Sequence, residues 1–317
     1  MTGVFDYRLE LFTTVIYLAK LDISGFLVSE PSAYTEALDR QFAPFDQHPA
    51  VTEFVATWGQ EFGWCDIPHF AMMLSDELLI KNGTKLEHIA DAELTDDKLK
   101  YYATLLHDFA EKTNFRAFHA IHSAEGAEYL HKLNAIVAAR PLKQILEDYL
   151  GVKLGKTKVV LSNLLRFFCG TTHADKPGDK VYCFWSRYWL QVAEQHNNLE
   201  RSLCSAVWHE FSHSVINPLS DKLFESFQDM TQEHMDWYCA LNESIIWAIT
   251  LRLLIQQGIV KDGNLQWYFD NAVGCKAPKT LKMHELLLEY ENHRERYESI
   301  GSFYPILQKA FGKPPLR

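Results

Sequence analysis

Apolar side chains along this chain recur mostly at the three- and four-residue intervals of an α-helix. Leu99, Tyr102, Leu105, Leu106 and Phe109 in "TDDKLKYYATLLHDFAEKTNF" mark one such face. An earlier apolar, amphipathic stretch from Tyr7 to Leu21 is broken over Asp22 to Gly25. "SAYTEALDRQF" offers Ser32 as a cap and Glu36 as a first-turn acid. "HPAVTEFVATWGQEF" and "HFAMMLSDELLI" read as short helices, and "GAEYLHKLNAIVAARPLKQILEDYLG" as two helices meeting at Pro141.

The texture changes at Val152. Two β-prone runs, Lys158 to Leu161 and Lys180 to Ser186, flank a segment rich in Gly, Asp and Pro and read as the main strands. Asn198 then caps a helix from Leu199 to about Ile216, stopped by Asn217 and Pro218. A second long helix runs from about Glu233 to Gln257 and ends at Gly258. "LKMHELLLEYENHRERYES" and "FYPILQKAF" complete the chain. The sum is an α+β protein, predominantly helical, with a small mixed or antiparallel sheet. A mainly helical N-terminal part (1–151) precedes a second part (152–317), with a soft boundary.

Composition narrows the function more than the fold. Hydrophobic residues make up 47% and charged residues 23% of the 317, ordinary values for a folded protein. With 20 Phe, 14 Tyr and 8 Trp, a large core is easy to supply. A formal charge of −10 and the lack of any basic run argue against nucleic acid or an anionic membrane as partner. Six scattered cysteines without a C-x-x-C pair exclude a cysteine zinc ribbon and suggest reduced thiols in the cytoplasm. The N-terminus does not read as a signal peptide, although a leader already removed would leave a secreted or periplasmic chain looking the same.

The chemistry gathers in "SAVWHEFSHSVINPLS", where His209, Glu210 and His213 stand as H-E-x-x-H. Residues four apart lie about 40° apart round a helix, one turn along, so both imidazoles can reach one metal ion. Zinc in catalytic sites keeps three protein ligands and leaves a fourth position to water, whose pKa falls to about 7. Glu210 is placed to take that water's proton and pass it to a leaving amine. Leu203, Val207, Phe211 and Val215 form an apolar stripe that predicts one buried face for this helix. The third ligand should come from another helix. Glu243 in "CALNESIIWAITLRLL" is favoured, because an unpaired carboxylate in an apolar stretch is costly unless a cation sits beside it. Glu225, Asp229 and Glu233 are the rivals.

H-E-F-S-H followed by N-E-S-I-I on the next helix resembles the gluzincin zinc metallopeptidases. More narrowly, "HEFSHSVINP", "LNESIIWAITLRL" and "YRLELFTTVIYLA" resemble an uncharacterised bacterial family, presumed zincin-like, that is known only as a domain of unknown function. The resemblance implies that His209, His213 and Glu243 bind zinc and that Glu210 is the general base. It also implies a peptide or protein substrate and a strand beside the cleft whose exposed edge pairs with it, for which "KVYCFWS" is the candidate. Where gluzincins place an aspartate four residues after the ligand glutamate, this chain has Trp247, so Asp229 or Glu10 would have to orient a histidine. Tyr304, between Gly301 and Pro305, is the first candidate for stabilising the oxyanion, with Tyr297 and His234 as alternatives. The competing expectations are a helical binding or scaffold protein whose motif is structural or inactive, and a zinc enzyme acting on a non-peptide amide or ester.

Other signals carry less. His119, His122 and His131 show no metal-ligand spacing and read as surface histidines, and His69 and His173 stand alone. Met72, Met73, Trp185 and Trp189 read as core, and "ENHRERYES" as a solvated helix face.

Overall fold

The computed structural model describes residues 1–20, 27, 31–58, 66–81, 95–166, 169–173, 180–224, 231–261 and 277–315. Helices dominate, a small sheet accompanies them, and the class is α+β as expected. The chain forms two compact units: residues 1–138 with 156–199, and residues 139–155 with 200–317. This division crosses the sequence boundary at Val152 twice, placing the sheet with the N-terminal helices.

The first unit opens with a strand, β1 (Thr2–Phe5), that the hydrophobic pattern does not announce. Asp6 then caps α1 (Tyr7–Ala19), its side chain accepting from the Arg8 N–H. Rather than amphipathic, α1 is enclosed on nearly every side: Leu9, Phe12, Val15 and Ile16 are fully buried, and so is Glu10. Its charges survive burial because they are bonded. Arg8 donates to Asp6 Oδ1 (2.8 Å) and to the Leu74 carbonyl (2.6 Å). Glu10 accepts from Tyr34 Oη (2.8 Å) and from the backbone and side-chain amides of Asn163 (2.9 and 3.0 Å). The break read over Asp22 to Gly25 lies outside the described residues.

Around α1 stand α2 (Ala33–Phe42), capped by Ser32 as the sequence predicts, α3 (Pro49–Glu53), α4 (Asp66–Met73) and α5 (Asp96–Thr113). The helix read through "HFAMMLSDELLI" stops at Met73; Leu74 and Ile80 form an antiparallel bridge round a turn in which Leu78 takes φ 61°. Leu99, Tyr102, Leu106 and Phe109 are buried on α5 as predicted. Next come α6 (Phe115–Glu125) and α7 (Ala127–Ala139).

The sheet has four strands in the order β1-β2-β4-β3, with β2 (Lys156–Ser162), β3 (Cys169–His173) and β4 (Lys180–Ser186). β1 and β4 run parallel to β2, while β3 is antiparallel to β4, so the sheet is mixed. β4 was expected to offer an exposed edge. It is instead interior, because "CGTTH", read as turn, pairs along its other side. Ser186 ends β4 and caps α9 (Arg187–Gln195) by accepting from the Tyr188 N–H.

The second unit is helical. Pro141 separates α7 from α8 (Leu142–Leu150), where two helices were predicted to meet. Gly151 follows with φ 69°, packed so tightly that a Cβ there would lie 2.1 Å from the Glu298 carbonyl oxygen. The motif helix α10 (Leu199–Phe224) does not stop at Asn217; it continues with Pro218 inside it. An interior proline costs about 3 kcal/mol. The turn beyond it is anchored by Ser220, fully buried, whose hydroxyl bonds Asn242 and Tyr304. Leu203, Val207 and Phe211 are fully buried as the stripe predicts, and Val215 is half-buried.

α11 (Gln232–Gln256) is the apolar centre of this unit, with Ile245, Ile246 and Ile249 fully buried. Its length and hydropathy would suit a membrane span, and its role as a core helix accounts for both. α12 (Thr280–Asn292) packs on it, joined by a fork in which Arg252 donates to both oxygens of Glu291 (2.7 and 2.5 Å). The helix ends at Asn292, so "ENHRERYES" is mostly turn, with Arg294 donating to the Tyr149 carbonyl (2.6 Å). α13 (Ile300–Phe311) closes the unit and carries Tyr304 and Pro305 in helix, where a loop was expected.

Candidate metal centre

His209 and His213 project from one face of α10, and Glu243 comes to meet them from the middle of α11. The two Nε2 atoms stand 3.3 Å apart. Glu243 places Oε2 at 3.4 Å from His209 Nε2 and Oε1 at 3.4 Å from His213 Nε2. Ligands 2.0–2.1 Å from a tetrahedral ion lie about 3.35 Å from one another. The donor spacing therefore fits a single small ion, with one carboxylate oxygen turned toward each imidazole. Two imidazole nitrogens and one carboxylate are also a donor set that zinc takes in catalytic sites. Among the described residues no other group of three such side chains converges.

Burial grades across the cluster. His209 is enclosed at 4% exposure, whereas the side chains of His213 and Glu243 keep 23% and 24% of theirs. A ligand would therefore reach the donors from the side of His213 and Glu243. Burial holds the His209 imidazole well below its ordinary pKa, helped by His213. It lowers His213 as well, against the pull of its hydrogen bond to Asn217. Both rings are thus neutral at pH 7, the form that offers a lone pair to a metal. Burial raises the Glu243 carboxyl to about 7, opposed by the Trp247 side chain. A dication between these groups would reverse that balance and favour the carboxylate.

Glu210 follows His209 on α10 and is buried at 6% exposure. Trp247 occupies the position one turn beyond Glu243, with its ring centroid 4.5 Å from that of His209. Where the resemblance leads one to expect a carboxylate behind a histidine, the chain thus has an indole packed against it. Glu10 lies in the first unit with both carboxylate oxygens bonded there. Asp229 and the ligand rival Glu225 are outside the described residues. Glu233 is exposed at the polar start of α11 and is not part of the cluster.

Tyr304 is not brought to the donors. Its buried hydroxyl lies 2.5 Å from Ser220 Oγ, seven residues past His213 and so about 10 Å further along the helix. Tyr297 packs against Phe303. His234 is spent on structure, with Nδ1 bonded to Thr231 (2.9 Å) in the capping box of α11 and Nε2 3.3 Å from the Pro315 carbonyl. One contact absent from the sequence reading stands out: Asn217 Oδ1 lies 3.1 Å from His213 Nδ1. Its signal was the four-residue spacing, masked by the reading of Asn217 as a helix stop.

Of the three histidines expected at the surface, only His131 is exposed. His119 and His122 are half-buried against Tyr7 and Phe118. His173 ends β3. Met72, Met73 and Trp185 are core, whereas Trp189 is 40% exposed.

No curated protein and no solved structure matches the chain. The family model described as "Domain of unknown function (DUF4932)" matches residues 13–310. That span takes in α10 and α11 with all three donors, and the chain belongs to the DUF4932 family.

Proposed function

We propose that the chain is a zinc-dependent hydrolase of the gluzincin type, cleaving a peptide bond. The observation that carries this reading is the convergence of His209, His213 and Glu243 at 3.3–3.4 Å, the edge length of a tetrahedral site. A zinc ion held by His209, His213 and Glu243 would supply Lewis acidity and lower the pKa of a bound water toward neutrality. Glu210 takes the proton of the attacking water and returns it to the leaving amine. The buried flank of α10, with Leu203, Val207 and Phe211 locked in the core, keeps the two histidines and Glu210 in fixed relation. Glu243 adds the third donor from a separately anchored helix. Tyr304 serves as a buried strut between α13 and α10, not as the oxyanion donor.

Metal analysis tests the reading. Purified chain should carry about one zinc, and His209→Ala should lose it. Glu210→Gln should keep the metal and lose hydrolysis across a peptide library. Equal metal content in wild type and His209→Ala sinks the proposal. Retained zinc with no peptide cleavage by wild type turns it toward a non-peptide amide or ester.

A further inference from the structure

We infer that Asn217 is a positioning residue for the metal centre, accepting the Nδ1 proton of His213 and thereby holding Nε2 as the donor. The inference rests on the metal reading above and adds a residue to it. A neutral imidazole carries one proton, on Nδ1 or on Nε2, and only the first tautomer leaves Nε2 free to ligate. His213 Nδ1 lies 3.1 Å from Asn217 Oδ1, while its Nε2 faces His209 Nε2 at 3.3 Å and Glu243 Oε1 at 3.4 Å. The ring is thus held at one nitrogen and offers the other to the cluster. Asn217 sits one turn further along the same helix, so the contact that aims the ring comes from α10 itself and not from α11.

Asparagine at this place differs chemically from the carboxylate often found behind a ligating histidine. A neutral amide fixes the tautomer without adding negative charge, so it leaves the imidazole a weaker electron donor and the metal a stronger Lewis acid. The two histidines are oriented by different means. His209 has the Trp247 ring packed against it at 4.5 Å, and His213 has the Asn217 amide. Reversal of that amide would present Nδ2–H to Nδ1 and move the ring proton to Nε2, where it blocks the donor. The inference therefore requires acceptance by Asn217, and donation would be its opposite.

Three measurements test it. Long-range 15N NMR on the chelator-treated chain should show His213 in the Nδ1–H tautomer; this needs no variant and no metal. Zinc titration against a chromophoric chelator should give Asn217→Leu a Kd about 10- to 100-fold weaker than wild type. Asn217→Asp, which can only accept while ionised, should bind at least as tightly as wild type. Cobalt substitution should then show d–d bands in N217D shifted from those of wild type, because a carboxylate behind the imidazole changes the ligand field. Equal zinc affinity in wild type and N217L overturns the inference, as does N217D losing as much affinity as N217L or an Nε2–H tautomer in the wild type. Wild type that takes up no zinc overturns the metal reading itself, a result separate from any of these.

Discussion

Replacing Glu243 by glutamine should affect the metal-free and metal-bound protein differently. Without a cation, a carboxylate and two imidazole nitrogens crowd within 3.3–3.4 Å, and burial already disfavours the charged carboxyl. Substituting a neutral amide of nearly the same shape removes that cost. The chelator-treated Glu243→Gln chain should therefore be as stable as wild type, within about 1 kcal/mol, or more so. With zinc the order reverses. At a zinc concentration 100 times its Kd, wild type gains about 2.7 kcal/mol.

Losing one of three donors weakens binding severely. A Kd raised about a thousandfold leaves less than about 0.1 kcal/mol of stabilisation at the same zinc concentration. For a large domain about 2–4 °C of Tm corresponds to 1 kcal/mol, so a shift of about 5–10 °C should shrink to below about 1 °C. Calorimetry on chelator-treated protein, with and without added zinc, measures both halves. Equal zinc-induced shifts in the two proteins would refute the assignment of Glu243. A metal-free variant destabilised by more than about 2 kcal/mol would refute the claim that this carboxylate is there for the metal.

Three further outcomes follow from the rest of the structure. Glu10→Ala strands the buried Tyr34 hydroxyl and two half-buried Asn163 N–H groups, and should cost about 2–4 kcal/mol in urea denaturation; a loss under about 1 kcal/mol would show that the network is slack. Gly151→Ala should cost about 2–4 kcal/mol, since the position has φ 69° and its Cβ would collide with the Glu298 carbonyl; a neutral result would mean the 298–299 backbone yields. Burial lowers the pKa of His48, against Asp108 and with Lys112, and of His119, against Glu10 and Asp6 and with Arg116. Folded pKa values below the unfolded 6.5 mean that the unfolded chain binds protons first as pH falls, so their stability is full above 6.5 and is lost below it. In chelator, the urea midpoint should drop from pH 7.5 to 5.5 less steeply in the double variant His48→Gln, His119→Gln than in wild type, and equal slopes would exclude these two histidines as the cause.

What could be read from the sequence was what depends on spacing within one helix or on the cost of a single buried group. His209 and His213 share a face because they are four apart, and Glu243 stands out because a lone carboxylate in an apolar run needs a partner. Features that depend on distant pairing stayed hidden. β1 is four residues long, too short to show alternation, and exists because Phe5 lies beside Leu161 across the ladder. "CGTTH" looks like a turn until β4 presents a free side for it to pair with, and that pairing is what makes β4 interior. Asn217 and Pro218 show the limit most clearly. The pair reads locally as a helix end, because proline removes one backbone bond and restricts its neighbour. The helix goes on because Ser220, two residues later, is tied to Asn242 and Tyr304 in the core. Only once the helix continues does Asn217 lie one turn above His213 with its amide over the ring. The same residue is thus a stop by local propensity and a hydrogen-bond acceptor by tertiary context, and the buried Ser220 decides between the two.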